Sequence, residues 1–302
     1  MNAKPFIKWA GGKRQLLSKI SEFYPVEQIN DKTITKYVEP FIGGGAVLFD
    51  VLNKFDIRYV YIGDSNPNLI NVYTVVQFYV NLLINELSTM EQEYLDCGEV
   101  GRDAYYLRVR KEFNSNRNIL HKSAKSQVRQ AACFIFLNKT CFNGLYRVNK
   151  DGKFNVPHGR YKNPTICDKE NLRAVSKKLE KVLIKCCSYQ DWADTIDENT
   201  LVYFDPPYRP LNKTSSFNSY DKDEFGDEQQ IELANFVKMI DDKGAMFILS
   251  NSDPHNVDVN DNFFDNLYSK FNIHEVSATR SINSNASSRG AINELLITNI
   301  IP

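Results

Sequence analysis

Residues 36–64, KYVEPFIGGGAVLFDVLNKFDIRYVYIGD, decide the fold. Lys36–Gly43 reads as a short buried strand running into glycines. Ala46 to about Asn53 carries helical apolar spacing, and Arg58–Gly63 reads as a second strand ending at Asp64. Strand, glycine turn, helix and strand, in that order, open a nucleotide-binding α/β sheet. The GxGxxG spacing is missing, and Glu39-Pro40-Phe41 occupies the strand end. The pattern therefore favours a nucleoside ligand without a pyrophosphate over a dinucleotide. Gly43, Gly44 and Gly45 let the backbone approach a ligand closely, and the helix behind them adds its positive dipole end. Asp64, at the end of the next strand, can accept hydrogen bonds from both hydroxyls of a ribose, or cap the helix that starts near Pro67.

Downstream, a long helix is expected from about Pro67 to Asp96. Residues 102–163 look helical through about Leu137 and then form a hairpin, Leu145–Val148 against Phe154–Val156, around Asp151-Gly152. The α/β alternation resumes with a helix near 168–183, a strand at 200–204, a helix at 227–241 and strands at 244–250, 273–279 and 294–301. The expected architecture is one α/β core, residues 1–66 and 166–302, carrying a mostly helical insertion over 67–165.

With 42% apolar and 25% charged residues, the chain has the composition of an ordinary globular protein. Its longest apolar run, Val75–Ile84, is broken by Gln77 and Asn81 and is too short to span a bilayer. Six cysteines without CxxC spacing suit a reducing compartment. With no signal-peptide pattern, the expected location is the cytoplasm. Lysine and arginine balance aspartate and glutamate at 37 each, yet the charge is unevenly placed. Residues 1–19 hold Lys4, Lys8, Lys13, Arg14 and Lys19 with no acid. From Arg102 to Lys162 there are 14 Lys/Arg against Asp103, Glu112 and Asp151. A basic segment inside a neutral chain is what phosphate binding requires.

The most specific signal is Val202-Tyr203-Phe204-Asp205-Pro206-Pro207-Tyr208. An apolar strand delivers an acid, two prolines and an aromatic ring to a strand end, where open α/β sheets place their sites. The prolines stiffen the backbone and remove two N–H donors. An amino group on a π ring is matched by this set: Asp205 accepts one N–H, the Pro206 carbonyl another, and Tyr208 stacks on the ring.

In seven ordered segments the chain resembles the Dam-type (D12 class) adenine-N6 DNA methyltransferases. The segments are Phe6–Lys13, Val38–Gly45, Asp64–Asn66, Asn138–Arg147, Phe154–Pro164, Asp205–Tyr208 and Arg280–Asn285. The resemblance implies a Rossmann-like S-adenosylmethionine-dependent sheet, with residues 67–165 as the DNA target-recognition domain. It implies S-adenosylhomocysteine as product, double-stranded DNA as partner, a flipped-out adenine, and direct transfer by a monomer without a metal. Trp9, Ala10, Gly11, Lys13, Glu39, Pro40, Phe41, Gly43, Gly45, Asp64 and Asp205 would hold the cofactor. Within that set Lys13 meets a methionine carboxylate, and Trp9 covers the adenine or packs in the core. Asp205, Pro206, Pro207 and Tyr208 would act on the base. Lys8, Phe142, Asn143, Leu145, Arg147, Pro157, Tyr161, Arg280 and Asn285 would meet DNA, with Arg147 reading a guanine at O6 and N7.

The recognition segment is similar to that of the GATC-specific members. Phe142 stands where those enzymes carry a tyrosine that wedges into the gap left by the flipped base, and Cys141 and Tyr146 also depart from the enterobacterial pattern. A GATATC-specific relative shares part of the segment but lacks a match to Gly159-Arg160-Tyr161, so GATC is favoured. RNA is the alternative substrate. A non-catalytic DNA-binding regulator would be expected to have lost Asp205 or Tyr208, and both are present. His158 reads as a surface residue of the hairpin or a phosphate contact, and Pro210–Tyr220 as a mobile loop over the site.

Overall fold

The computed structural model describes residues 1–116, 119–209, 225–279 and 291–301. The chain divides into two compact units. The first comprises Met1–Gly12, Ile42–Lys54 and Gly63–Cys187; the second comprises Lys13–Phe41, Phe55–Ile62 and Ser188–Pro302.

The second unit is built on a mixed sheet. Its strands are β1 (Lys36–Glu39), β2 (Tyr59–Asp64, whose last two residues count with the first unit), β4 (Thr200–Phe204), β5 (Met246–Ser252), β6 (Asn272–Thr279) and β7 (Ala291–Thr298), in the order β2-β1-β4-β5-β7-β6. β1 pairs in parallel with both β2 and β4, and β4 with β5, whereas β7 runs antiparallel between β5 and β6. Every residue of β4 is buried, as befits a parallel strand covered on both faces. The register Lys36↔Thr200 to Val38↔Val202 sets the carboxyl ends of β1 and β4 side by side. The chain leaves β1 toward β2 on one side and reaches β4 on the other, which makes the β1/β4 edge the switch point where open α/β sheets bind ligands. The helix Asp227–Asp242 buries Leu233, Phe236, Val237 and Ile240, one stripe at helical spacing.

The first unit is mostly helical: Ala46–Lys54, Pro67–Asp96, Gly98–Ser115, Ala124–Thr140 and Lys169–Leu179. The long helix starts at Asn66, whose side chain accepts the N–H groups of Asn68 and Leu69, with Pro67 in the first turn. Ala124–Thr140, buried at every position from Ala131 to Asn138, packs against it. The expected 102–137 helical stretch is thus two helices.

The helix expected near 168–183 stops at Leu179, and Val182–Cys186 forms strand β3. The Gln77 amide donates to the carbonyls of both Leu179 and Val182, over 2.6 and 2.7 Å. It thereby takes up a terminal helix carbonyl and fixes the bend into a β-branched run. The expected hairpin closes through the single bridge Val148↔Phe154 instead of a ladder. Among the described residues, no helix is long and apolar enough to cross a membrane.

Candidate active site

β4 ends at Phe204, and the next four residues carry the catalytic candidates. Lys13, only 3% exposed, places its Nζ 2.7 Å from Asp205 Oδ1, 3.7 Å from Glu294 Oε2 and 4.6 Å from the centroid of the Tyr208 ring. The Tyr208 hydroxyl donates to Glu294 Oε2 over 2.5 Å. Burial pushes the Asp205 carboxyl above its ordinary value, and the adjacent Lys13 ammonium pulls it back. Burial also drives the Tyr208 hydroxyl far upward, so it stays a donor.

The tetrapeptide is braced from both sides. Gln230 Nε2 donates to the Pro207 carbonyl at 3.1 Å, and Asn251 Nδ2 in turn donates to Gln230 Oε1 at 3.0 Å. Arg209 follows Tyr208 and pairs with Asp227 at 2.6 Å and Asp261 at 2.5 Å. At the neighbouring end of β1, buried Glu39 accepts the Tyr37 hydroxyl at 2.6 Å. Pro40 is buried beside it, and Phe41 packs on Tyr189 and Phe225.

In the first unit the glycine turn and Asp64 are joined. Asp64 Oδ2 accepts the Gly43 N–H at 3.3 Å and Oδ1 the Asn66 N–H at 2.9 Å, while the Tyr73 hydroxyl donates to the Gly43 carbonyl at 3.0 Å. Asn66, not Asp64, is the helix cap. Burial raises Asp64 to about 6, against the two N–H groups that hold it down. Gly45 has φ +70°, and a Cβ there would lie 2.6 Å from the Tyr73 hydroxyl oxygen, so only glycine fits. Trp9 stacks on Tyr146 (centroids 5.4 Å apart) and Phe134 (6.4 Å), both in this unit. Ala10 and Gly11 are exposed.

The same unit gathers most of the expected DNA contacts. Asn138 accepts the Lys8 N–H and donates to the carbonyls of Lys8 (2.8 Å) and Gly144 (3.0 Å), tying the N-terminal segment to the turn at 142–145. Asn143, at φ +56°, donates its N–H to the Tyr161 hydroxyl, and Lys8 Nζ lies 5.5 Å from that ring's centroid. The Phe142 N–H donates to the Pro157 carbonyl while its ring stays 52% exposed. Exposed Arg147 donates through Nε to Asn155 Oδ1 at 2.8 Å, and Leu145 is half-buried between these groups in sequence. Arg280, Asn285 and the loop Pro210–Tyr220 lie outside the described residues.

His158 is not a surface residue. Its side chain is 8% exposed, stacked on Tyr106 at 4.8 Å, and held by Asp103 at Nδ1 (2.5 Å) and the Tyr94 hydroxyl at Nε2 (2.8 Å). Sequence reading also missed Glu294, Gln230 and Asn251. The available signal was an acid, next to Asn293, in the otherwise apolar segment Ile292–Ile297.

Residues 9–282 match the family model of the D12 class N6 adenine-specific DNA methyltransferases. Type II methyltransferase M.MjaIII of Methanocaldococcus jannaschii is 51% identical over 300 residues, covering 99% of this chain and 100% of that protein. Type II methyltransferase M1.LlaDCHI of Lactococcus lactis subsp. cremoris is 38% identical, covering 99% and 96%. The DNA adenine methylase of Escherichia coli is 33% identical, covering 97% and 94%.

Proposed function

Because the chain belongs to the D12 class of N6 adenine-specific DNA methyltransferases, we propose that it methylates N6 of a flipped-out adenine in duplex DNA, using S-adenosylmethionine, with GATC as its site. The observation that carries this reading is the Lys13–Asp205 pair at 2.7 Å, set beside the Tyr208 ring at the end of β4. Asp205 accepts one N–H of the target amine and the Pro206 carbonyl the other. Together they draw the nitrogen lone pair out of conjugation with the base and direct it along one line. Tyr208 stacks on the extruded ring, and Pro207, held by Gln230, keeps the turn rigid.

S-Adenosylmethionine, when bound, supplies the electrophilic methyl group. The donor set fits it. A buried ammonium beside a carboxylate matches the carboxylate and ammonium of an amino acid, which assigns Lys13 and Asp205 to the methionine part. Asp64 is not spent on capping and matches a ribose diol. Trp9, Ala10, Gly11, Glu39, Pro40, Phe41, Gly43 and Gly45 complete the cofactor set of this reading.

Lys8, Phe142, Asn143, Leu145, Arg147, Pro157 and Tyr161 are assigned to DNA, with residues 67–165 as the recognition segment. Support comes from the basic charge of that segment and from an aromatic ring left 52% exposed within it. The enzyme then works in the cytoplasm, on cellular DNA. Plasmid from cells expressing the gene tests the reading, by digestion with a nuclease blocked by adenine methylation in GATC. Protection is the expected result. Full cleavage despite methyl incorporation into the plasmid overturns GATC, and incorporation into RNA alone overturns DNA as substrate.

A further inference from the structure

We propose that Glu294 is a positioning residue for the methyl transfer: it fixes the Tyr208 ring through its hydroxyl and shares Lys13 with Asp205. The inference rests on the function proposed above and adds a residue to it.

One oxygen of Glu294 serves both partners. Oε2 accepts the Tyr208 O–H at 2.5 Å and lies 3.7 Å from Lys13 Nζ, which itself stands 4.6 Å from the Tyr208 ring centroid. Tyr208, Glu294, Lys13 and Asp205 thus form a chain of contacts whose two ends are three positions apart in sequence. The anchor sits within a strand, whereas the tyrosine does not. Glu294 faces Ser252 of β5 and Val276 of β6 in the sheet register, so its backbone is flanked by a strand on each side. Tyr208 follows the last strand residue by four positions and sits in irregular backbone.

A ring tied at its tip cannot swing away about its Cα–Cβ bond, so an arriving base meets a ring already in place. Ordering that ring only in the complex would slow the reaction, and immobilising one such side chain is worth roughly 3–10-fold. Charge adds a second effect. Lys13 faces two carboxylates, so the cluster carries one surplus negative charge where the target nitrogen becomes cationic during transfer. Glu294→Gln separates the two contributions, because the amide oxygen still accepts the tyrosine O–H but carries no charge.

The test is a double-mutant cycle on the full chain with S-adenosylmethionine and a duplex oligonucleotide, reading kcat and both KM values. Glu294→Ala and Tyr208→Phe should each lower kcat about 10-fold with little change in KM for DNA. The double variant should be no slower than the worse single one, because both remove the same bond. Glu294→Gln should recover part of the loss. Asp205→Ala runs beside them as a control on the underlying function. Multiplying losses in the double variant, or wild-type kcat in Glu294→Ala while Asp205→Ala is inactive, overturns the role of Glu294 alone. Wild-type turnover in Asp205→Ala overturns the function beneath it. Should Glu294→Ala fail to fold, Glu294→Gln and Tyr208→Phe decide the matter by the same criterion.

Discussion

Lys13 Nζ lies 2.7 Å from Asp205 Oδ1, so a lysine close to the N-terminus is held against the end of the central strand of the sheet. The pair is largely shielded from water, with the lysine 3% and the aspartate 22% exposed. The contact holds both side chains in place until a ligand takes it over. Asp205→Ala should therefore lower kcat by about 10²–10³, the usual cost of deleting one preorganised group at a reacting centre. DNA binding measured by fluorescence anisotropy should persist. Turnover within threefold of wild type would remove Asp205 from the chemistry.

Arg147 is exposed and anchored through Nε to Asn155, which holds one edge of its guanidinium. A bidentate contact to guanine O6 and N7 is worth about 1–3 kcal/mol in discrimination. Arg147→Ala should lose that amount at a single G·C pair, read from kcat/KM on duplexes substituted one position at a time. An unchanged preference at every position would remove the guanine contact.

Asp64 offers a pH test with two opposite signs. Its folded value, about 6, lies above the ordinary 3.8, because burial disfavours the carboxylate. Without ligand, the protonated acid is the better-tolerated form, so stability present at low pH is lost as pH rises through about 6. Ribose hydroxyls need the carboxylate as acceptor. Affinity for S-adenosylhomocysteine should therefore rise over the same range and fall roughly tenfold per pH unit below it. Calorimetric titration from pH 5 to 8 checks this, and Asp64→Asn should bind weakly with a flat profile. A flat profile in the wild type would separate Asp64 from the cofactor.

His158 is spent on the fold. Its contacts to Asp103, Tyr94 and Tyr106 predict that His158→Ala lowers stability by about 1–3 kcal/mol, seen as a lower Tm. The salt dependence of DNA binding should not change, whereas losing a phosphate contact would reduce its slope by nearly one. A reduced slope with unchanged Tm would return His158 to the DNA.

What could be read from the sequence was local. β4 shows itself as an unbroken apolar run because both its faces are buried, and Asp205–Tyr208 follows it directly. Gly43 and Gly45 are legible because their positive φ angles and the nearness of Trp9 and Tyr73 exclude side chains. What escaped depends on groups brought together from distant positions. β3 begins where it does because Gln77, about a hundred residues earlier, takes the Leu179 carbonyl. His158 looked exposed because its partners come from two helices far upstream. Glu294 looked like an ordinary polar residue because its meaning comes from an antiparallel register with β5 and from a tyrosine 86 residues away.

β7 follows β6 in the chain and is the last of the described strands, yet it lies inside the sheet, between β5 and β6. On a translating ribosome, β6 has no neighbour among the described strands until the chain has run past Ala291. The tyrosine made nearly ninety residues earlier waits that long for its acceptor. A nascent chain should therefore leave the Tyr208 hydroxyl without its strand-borne acceptor until the residues of β7 have been made and paired.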